Sequence, residues 1–311
     1  MSLKLTILGY NSAVPKRKVA PTAQLLEVES RMFLIDCGEG TQVQLRKAKA
    51  KFSRINHIFI SHLHGDHVFG LIGLISSFQL LGRETPLHIF GPKGIQDFIM
   101  NQLRHTESKC TYELIFTELD KTESVKIYED EKVEVFTIPL QHRIYTNGYL
   151  FCEKPKLRKL NIDAIHTYPE IEICDYENLR RGRDFKLKNG KVIPNSKLTF
   201  DPPKTQSYAF CSDTCYWPEI VPIIKGVDLL YHESTFLSDL QEMADRTAHS
   251  TAREAAMIAR DAEVGQLILG HFSNRYEDLT VFLDEAEPVF ENTILPMQLG
   301  VYEIQPKEET V

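Results

Sequence analysis

Residues 61–67 read Ser61-His62-Leu63-His64-Gly65-Asp66-His67, which puts three histidines and a carboxylate within six positions. Imidazole nitrogen and carboxylate oxygen are ligands that zinc prefers. Packing them this tightly makes physical sense when a cation offsets the crowding. The apolar run 55–60 comes just before, so the cluster sits where a buried strand ends. A turn at Gly65 lets Asp66 and His67 point away from His62 and His64, so that one segment serves two metals. A two-metal site needs more than four ligands. The fold must therefore bring further donors to this strand end from distant parts of the chain.

Other apolar runs end in the same way. His142 follows 133–140, Asp213 follows 208–211, His271 follows 267–270, and His232 follows 229–231. Any one of these alone is more often a structural histidine or a turn aspartate. Four strand ends delivering metal-binding side chains alongside the first cluster point to one shared rim.

The rest of the chain supports an α/β architecture. Strands are expected at 3–8, 23–28, 32–36 and 87–90, with more up to 140. One helix should follow the glycines of 36–41, and 68–81 reads as a buried helix. A further helix is expected over 92–105. Strands resume at 207–211, 227–231 and 266–269. Thr251 and Glu254 have capping-box spacing, which starts a helix running to about 262, and a last helix is expected over 279–290. Strands and helices mix in both halves, as two sheets between helices require. Residues 151–200 differ: they lack an apolar period, carry Pro155, Pro169 and Pro194, and read as a protruding arm without core.

Composition excludes several classes. With 42% hydrophobic and 25% charged residues the chain is ordinary for a globular protein, and its apolar runs are too short to cross a bilayer. No signal peptide is read at the N-terminus. The six cysteines are scattered and form no Cys-x-x-Cys pair, so reduced thiols in a cytoplasmic protein are expected. Net charge is −7, yet 151–200 holds eleven basic and seven acidic side chains. That segment is +4 on a body of −11, which suits a phosphate-binding appendage.

These motifs carry a resemblance. His-x-His-x-Asp-His with later His, Asp and His is similar to the metallo-β-lactamase fold. Within that fold the chain resembles the ribonuclease Z family, endonucleases that mature the 3′ end of transfer RNA. The narrower elements are 33–42 (Phe33-Leu34-Ile35-Asp36-Cys37-Gly38-Glu39-Gly40-Thr41-Gln42), Ser212-Asp213-Thr214, His232-Glu233-Ser234-Thr235, His249-Ser250-Thr251 and 270–276. Two stretches depart from the family pattern: the opening turn Gly9-Tyr10-Asn11-Ser12, and the arm tip 168–176, which is acidic at its middle.

The resemblance implies a four-layer αββα sandwich, one domain over 1–311, with a flexible arm over 152–198 inserted as an exosite. It implies two Zn²⁺ per chain, with His62, His64 and His142 on one, Asp66, His67 and His271 on the other, and Asp213 bridging. Asp36 is expected to orient ligands through hydrogen bonds. In catalysis, Asp66 doubles as general base, His249 serves the departing 3′ oxygen, and Glu233 orients His249. Ser250 and the helix start beside it are expected to hold a phosphate, and Arg275 to touch substrate. The implied function is removal of the 3′ trailer of precursor tRNA, leaving a 3′-hydroxyl, by a cytoplasmic homodimer with no membrane partner. The alternative is a hydrolase of the same fold acting on a small phosphodiester or ester; it has no need of an arm.

Overall fold

Alternation along the strands decides the layers, because successive side chains leave a strand on opposite faces. The computed structural model describes residues 3–306. Two seven-stranded sheets form its body. In the first, Leu25, Leu34, Ile58 and Ile89 face helices Leu71–Leu80 and Ile95–His105, packing on Leu74, Phe78 and Ile99. Their neighbours Leu26, Phe33, Phe59 and Phe90 face the other sheet and meet Tyr149, Phe151, Tyr208, Phe210 and Tyr231. The second sheet turns Ala209, Leu230 and Leu267 outward onto Ala255, Ala259 and Phe282 of helices Ala252–Asp261 and Thr280–Ala286. Three apolar layers between four layers of structure follow from this period.

Each sheet has a parallel part. In the first, Arg31–Ile35, Ile55–Phe59, Leu87–Pro92 and Leu114–Leu119 run parallel in that order. In the second, Ser207–Cys211, Leu229–Glu233, Gln266–Gly270 and Thr293–Ile294 do so. Ligands bind outside the carboxyl ends of such strands, and the metal-binding side chains lie there. Val133–Leu140 and Thr146–Glu153 flank the parallel part of the second sheet.

The helix expected over 68–81 is Leu71–Leu80, and a separate turn of helix, Gly65–Val68, precedes it with a break at 69–70. The break has a steric cause. A Cβ on Gly70 would lie 2.0 Å from the Gly38 carbonyl oxygen, and the Gly70 N–H donates to the Cys37 carbonyl at 2.9 Å. The close approach of 37–38 bends the chain and leaves a separate turn that carries Asp66 and His67. The last helix is shorter than expected, ending at Ala286.

Residues 153–205 form a second compact unit. Contrary to the expectation of an arm without core, Ile165, Ile171, Leu179, Ile193 and Leu198 are buried together in it. Two-residue ladders, Lys159–Leu160 with Thr199–Phe200 and Phe185–Lys186 with Val192–Ile193, tie its ends and middle. Buried Asn195 donates to the carbonyls of Leu179 and Arg183. Elements this short carry too few residues to display a period. Among the described residues no helix is long and apolar enough to cross a membrane.

Candidate metal centre

Strand Ile55–Phe59 ends at a loop that presents His62 and His64, and helix Gly65–Val68 presents Asp66 and His67. The structure brings both pairs to the other strand-end ligands. Ligand atoms of His62, His64, His142 and Asp213 lie within 4.8 Å of one another, and so do those of Asp66, His67 and His271. Asp213 stands between the sets. Its Oδ2 is 3.5 Å from His62 Nε2 and 3.8 Å from His142 Nε2, while its Oδ1 is 3.3 Å from His67 Nε2 and 3.2 Å from His271 Nε2.

Hydrogen bonds behind the rings assign their tautomers. His142 Nδ1 donates to the Ala248 carbonyl at 2.7 Å, and His67 Nδ1 donates to Asp36 Oδ2 at 2.7 Å. The Ser61 hydroxyl gives its proton to Asp36, so it accepts from His62 Nδ1 at 3.0 Å. The Thr235 hydroxyl gives its proton to Glu233, so it accepts from His271 Nδ1 at 3.0 Å. All four Nε2 atoms are thereby left as bare lone pairs, and they converge. His67 Nε2 stands 3.4 Å from His271 Nε2, and His142 Nε2 stands 3.4 Å from His64 Nδ1. Facing lone pairs repel unless a cation lies between them, and outer bonds of this kind orient metal-binding histidines. The donor set of nitrogen and carboxylate oxygen therefore fits divalent metal.

The electrostatics agree. Burial opposes charge on His67, yet Asp213, Asp66 and Asp36 outweigh it and hold its pKa well above the ordinary value. Burial also penalises the Asp66 carboxylate, but His67 and His271 hold its pKa far below the usual carboxylate range. His64 goes the other way: burial, then neighbouring His62, lower it to about 4, so it is neutral and free to ligate. With Asp36, Asp66 and Asp213 crowded around it, His67 attracts positive charge at its Nε2, which a proton supplies in the metal-free chain and a divalent ion would supply when bound.

Asp36 lies fully buried beneath the site, where its Oδ1 accepts the Ser61 N–H at 2.7 Å. Asp36 (φ +55°), His271 (φ +59°) and Ala248 (φ +55°) hold left-handed backbone that non-glycine residues rarely adopt. All three belong to the centre, where such strain gathers.

His249 stands beside both sets, its ring centroid 5.0 Å from that of His142 and 5.4 Å from that of His271. Its Nδ1 is 2.7 Å from Glu233 Oε1. Burial disfavours the imidazolium, but Glu233 prevails and pushes the pKa of His249 up to about 9. Arg275 is exposed, with its guanidinium 6.0 Å over the Phe236 ring.

Three expectations are corrected. Ser250 is fully buried, and its hydroxyl donates to the Thr214 carbonyl at 2.7 Å instead of facing a substrate. The start of helix Ala252–Asp261 offers no free anion site. The Ala252 N–H goes to the Phe236 carbonyl, Arg253 N–H to Glu285, and Glu254 N–H to the Thr251 hydroxyl. His232, also at a strand end, joins neither set: its Nδ1 bonds the Glu233 carbonyl, as a ligand's would, but its Nε2 is buried away from the other donors.

The sequence reading missed the groups behind the ligands: Ser61, Thr235, the Ala248 carbonyl and the Ala13 N–H, which donates to Asp66 Oδ2 at 2.7 Å. Backbone groups leave no signal in residue type. Ser61 and Thr235 do leave one, since each lies within two residues of a quoted motif histidine or glutamate.

A family model described as anti-Pycsar protein Apyc1 matches residues 3–151. Over nearly its whole length the chain is similar to curated ribonucleases Z. It is 48% identical over 292 residues to that of Bacteroides thetaiotaomicron, covering 94% of this chain and 92% of that protein. It is 46% identical over 296 residues to that of Cytophaga hutchinsonii, covering 95% and 94%. Among solved structures, human tRNase Z, short form, superposes with a TM-score of 0.72 at 27% identity, over 97% of this chain and 99% of that one. The metallo-beta-lactamase fold protein YhfI from Bacillus subtilis, 17% identical over 97% of this chain and all of that one, superposes with a TM-score of 0.68 and shows the shared fold.

Proposed function

The chain belongs to the ribonuclease Z family of endoribonucleases, and we propose that its two ligand sets hold two zinc ions where the 3′ trailer of precursor tRNA is hydrolysed. The observation that supports this most is the four bare Nε2 atoms converging on a shared carboxylate. His62, His64 and His142 would hold one ion and Asp66, His67 and His271 the other, with Asp213 standing between the two sets. Bound there, divalent zinc supplies Lewis acidity, making water a nucleophile at neutral pH and offsetting phosphate charge.

The chain's own groups do the rest. Asp66 is ionised and belongs to the second set, from which it orients the attacking water and accepts its proton. The water oxygen adds to phosphorus as the bond to the 3′ oxygen breaks, so the phosphate stays with the trailer and the tRNA keeps a 3′-hydroxyl. His249, charged through Glu233, gives a proton to that departing oxygen. Exposed Arg275 holds a neighbouring phosphate.

The arm acts as the exosite. Its eleven basic side chains over 151–200 suit a phosphate backbone. The family resemblance supports a homodimer in which one subunit's arm serves RNA bound at the other's site. The tRNA substrate and the six free cysteines support a cytoplasmic location. The test is incubation of a 3′-extended precursor with and without chelator, with product ends mapped and zinc counted by atomic absorption. The expected result is one cut leaving a 3′-hydroxyl, stopped by chelator, with two zinc ions per chain. An uncut precursor overturns the reading.

A further inference from the structure

A cleft of about 410 Å³ opens against the first ligand set and is used by nothing described above. His142 is part of its wall, together with Lys121, Glu123, Arg143, Tyr145, Asn147 and Trp217. Its size is that of a small-ligand site. It is built on the same supports as the metal centre. The Asn147 N–H donates to the carbonyl of Ser61, next to His62, and the Cys215 N–H, two residues past Asp213, donates to the Gln141 carbonyl.

Two observations give the cleft a chemistry. Asn147 is 1% exposed, and its Nδ2 donates to the Tyr145 hydroxyl at 2.7 Å, which in turn donates to the Lys121 carbonyl at 2.8 Å. The Asn147 amide oxygen is left with no hydrogen-bond partner. A buried amide oxygen without a partner is rare, and this one is closed off from solvent, so a ligand's donor reaches it only as the Tyr145 side of the wall shifts. Half-buried Trp217 and Tyr145 add flat aromatic surface to the same wall. The rim is mixed in charge, Lys121 and Arg143 against Glu123 and Glu219, so it is no simple anion trap. Aromatic faces, an unsatisfied acceptor and charges of both signs match a nucleobase, which stacks on its faces and both donates and accepts along its edge.

We infer that this cleft holds the base of one unpaired nucleotide adjoining the scissile phosphate, stacked on Trp217 and Tyr145, with its phosphate side toward His142. The inference rests on the RNA-hydrolase reading and adds a recognition site to it. The nucleotide has two possible sources: the 3′ end of the tRNA product or the first residue of the trailer.

Trp217 is the chain's single tryptophan, so intrinsic tryptophan emission reports on this cleft alone. The metal-loaded protein is titrated with a precursor made uncleavable by a methylene group in place of the departing 3′ oxygen, with the tRNA ending at the cut, and with that tRNA one nucleotide shorter. Quenching by the precursor is expected. If the tRNA ending at the cut also quenches and the shorter one does not, the base comes from the tRNA end. If only the precursor quenches, it comes from the trailer. The second measurement is kcat/KM on precursor divided by kcat/KM on the same precursor with an abasic residue at the nucleotide that the emission titration assigns, which leaves the phosphates and removes the base that stacks. Trp217→Leu should lower this ratio about tenfold, Trp217→Phe should restore most of it, and Lys121→Glu at the exposed rim should lower it without touching the core. RNA binding seen by fluorescence anisotropy with unchanged tryptophan emission for all three RNAs, and unchanged ratios, overturns the inference. A wild-type protein that fails to cut the precursor overturns instead the reading on which it rests.

Discussion

Asp66 is proposed both to hold metal and to move a proton, whereas His249 is proposed to move a proton alone. Asp66 lies within 3.4–3.5 Å of the ring nitrogens of His271 and His67, so removing it takes away a ligand and a proton acceptor together. Asp66→Ala should abolish cleavage while circular dichroism and RNA binding persist; loss of RNA binding would contradict that division. His249 is held by Glu233 and Thr235, outside the four Nε2 atoms that converge. Yet a ring nitrogen of His249 lies within 4.8 Å of ligand atoms of Asp213 and His271, so a ligand role is the competing assignment. His249→Ala should slow precursor cleavage by roughly 10²–10⁴-fold, the usual contribution of a positioned acid, with zinc content unchanged. Zinc loss by atomic absorption would make it a ligand. The seven proposed ligands were named through the family resemblance, on residues whose type suits metal and whose strand ends the fold brings together. What orients them was not: Ala13 and Ala248 act through backbone N–H and carbonyl, and Ser250 has the type of a substrate contact but the burial of a strut.

Strands and helices make such errors intelligible. His232 and Glu233 are adjacent on one strand, so the pleat sends them to opposite faces. Glu233 shares the face of Tyr231, between the sheets, whereas His232 shares that of Leu230, beneath the outer helices. Period two, applied to Leu229–Glu233, would have removed His232 from the candidates. The start of helix Ala252–Asp261 was legible to the residue. Thr251 Oγ1 accepts the Glu254 N–H at 3.3 Å, and Glu254 returns a bond to the Thr251 N–H at 2.9 Å. Thr251→Ala should cost about 1 kcal/mol in urea unfolding. Strand Ile55–Phe59 carries a pH dependence of its own. His57 packs against His88, Phe33 and Tyr128, and burial, then the charge of His88, lowers its pKa to about 4. An unfolded histidine titrates near 6.5. Between about pH 6.5 and 4 the unfolded chain binds a proton that the folded chain refuses, so stability falls as pH falls through that window. His57→Gln should lose less stability than wild type between pH 7 and 4.5 by urea midpoint; parallel curves would show that His57 does not titrate this way.

Across the whole molecule charge is divided between the two units, with a surplus of four positive charges over 151–200 against −7 for the chain. The arm's own core was illegible because its elements are two to five residues long, too short for a period, and its apolar residues meet only through tertiary contact. The register of the second sheet makes the arm separable. Thr146–Glu153 and Ser207–Cys211 are antiparallel neighbours, with Cys152 opposite Ser207, so Glu153 and Gln206 stand where a hairpin would turn. Replacing 154–205 with Asn-Gly closes that hairpin through a two-residue turn whose twist suits the strands. All seven proposed ligands stay in the body, so the shortened protein should bind as much metal as wild type and keep its turnover of bis(p-nitrophenyl) phosphate. If the arm grips RNA, kcat/KM on precursor should fall about a hundredfold, and its logarithm should decline less steeply with salt, since fewer phosphates are neutralised. Undiminished precursor cleavage with wild-type salt dependence would place the RNA contacts on the acidic body, where charge alone gives no reason to expect them.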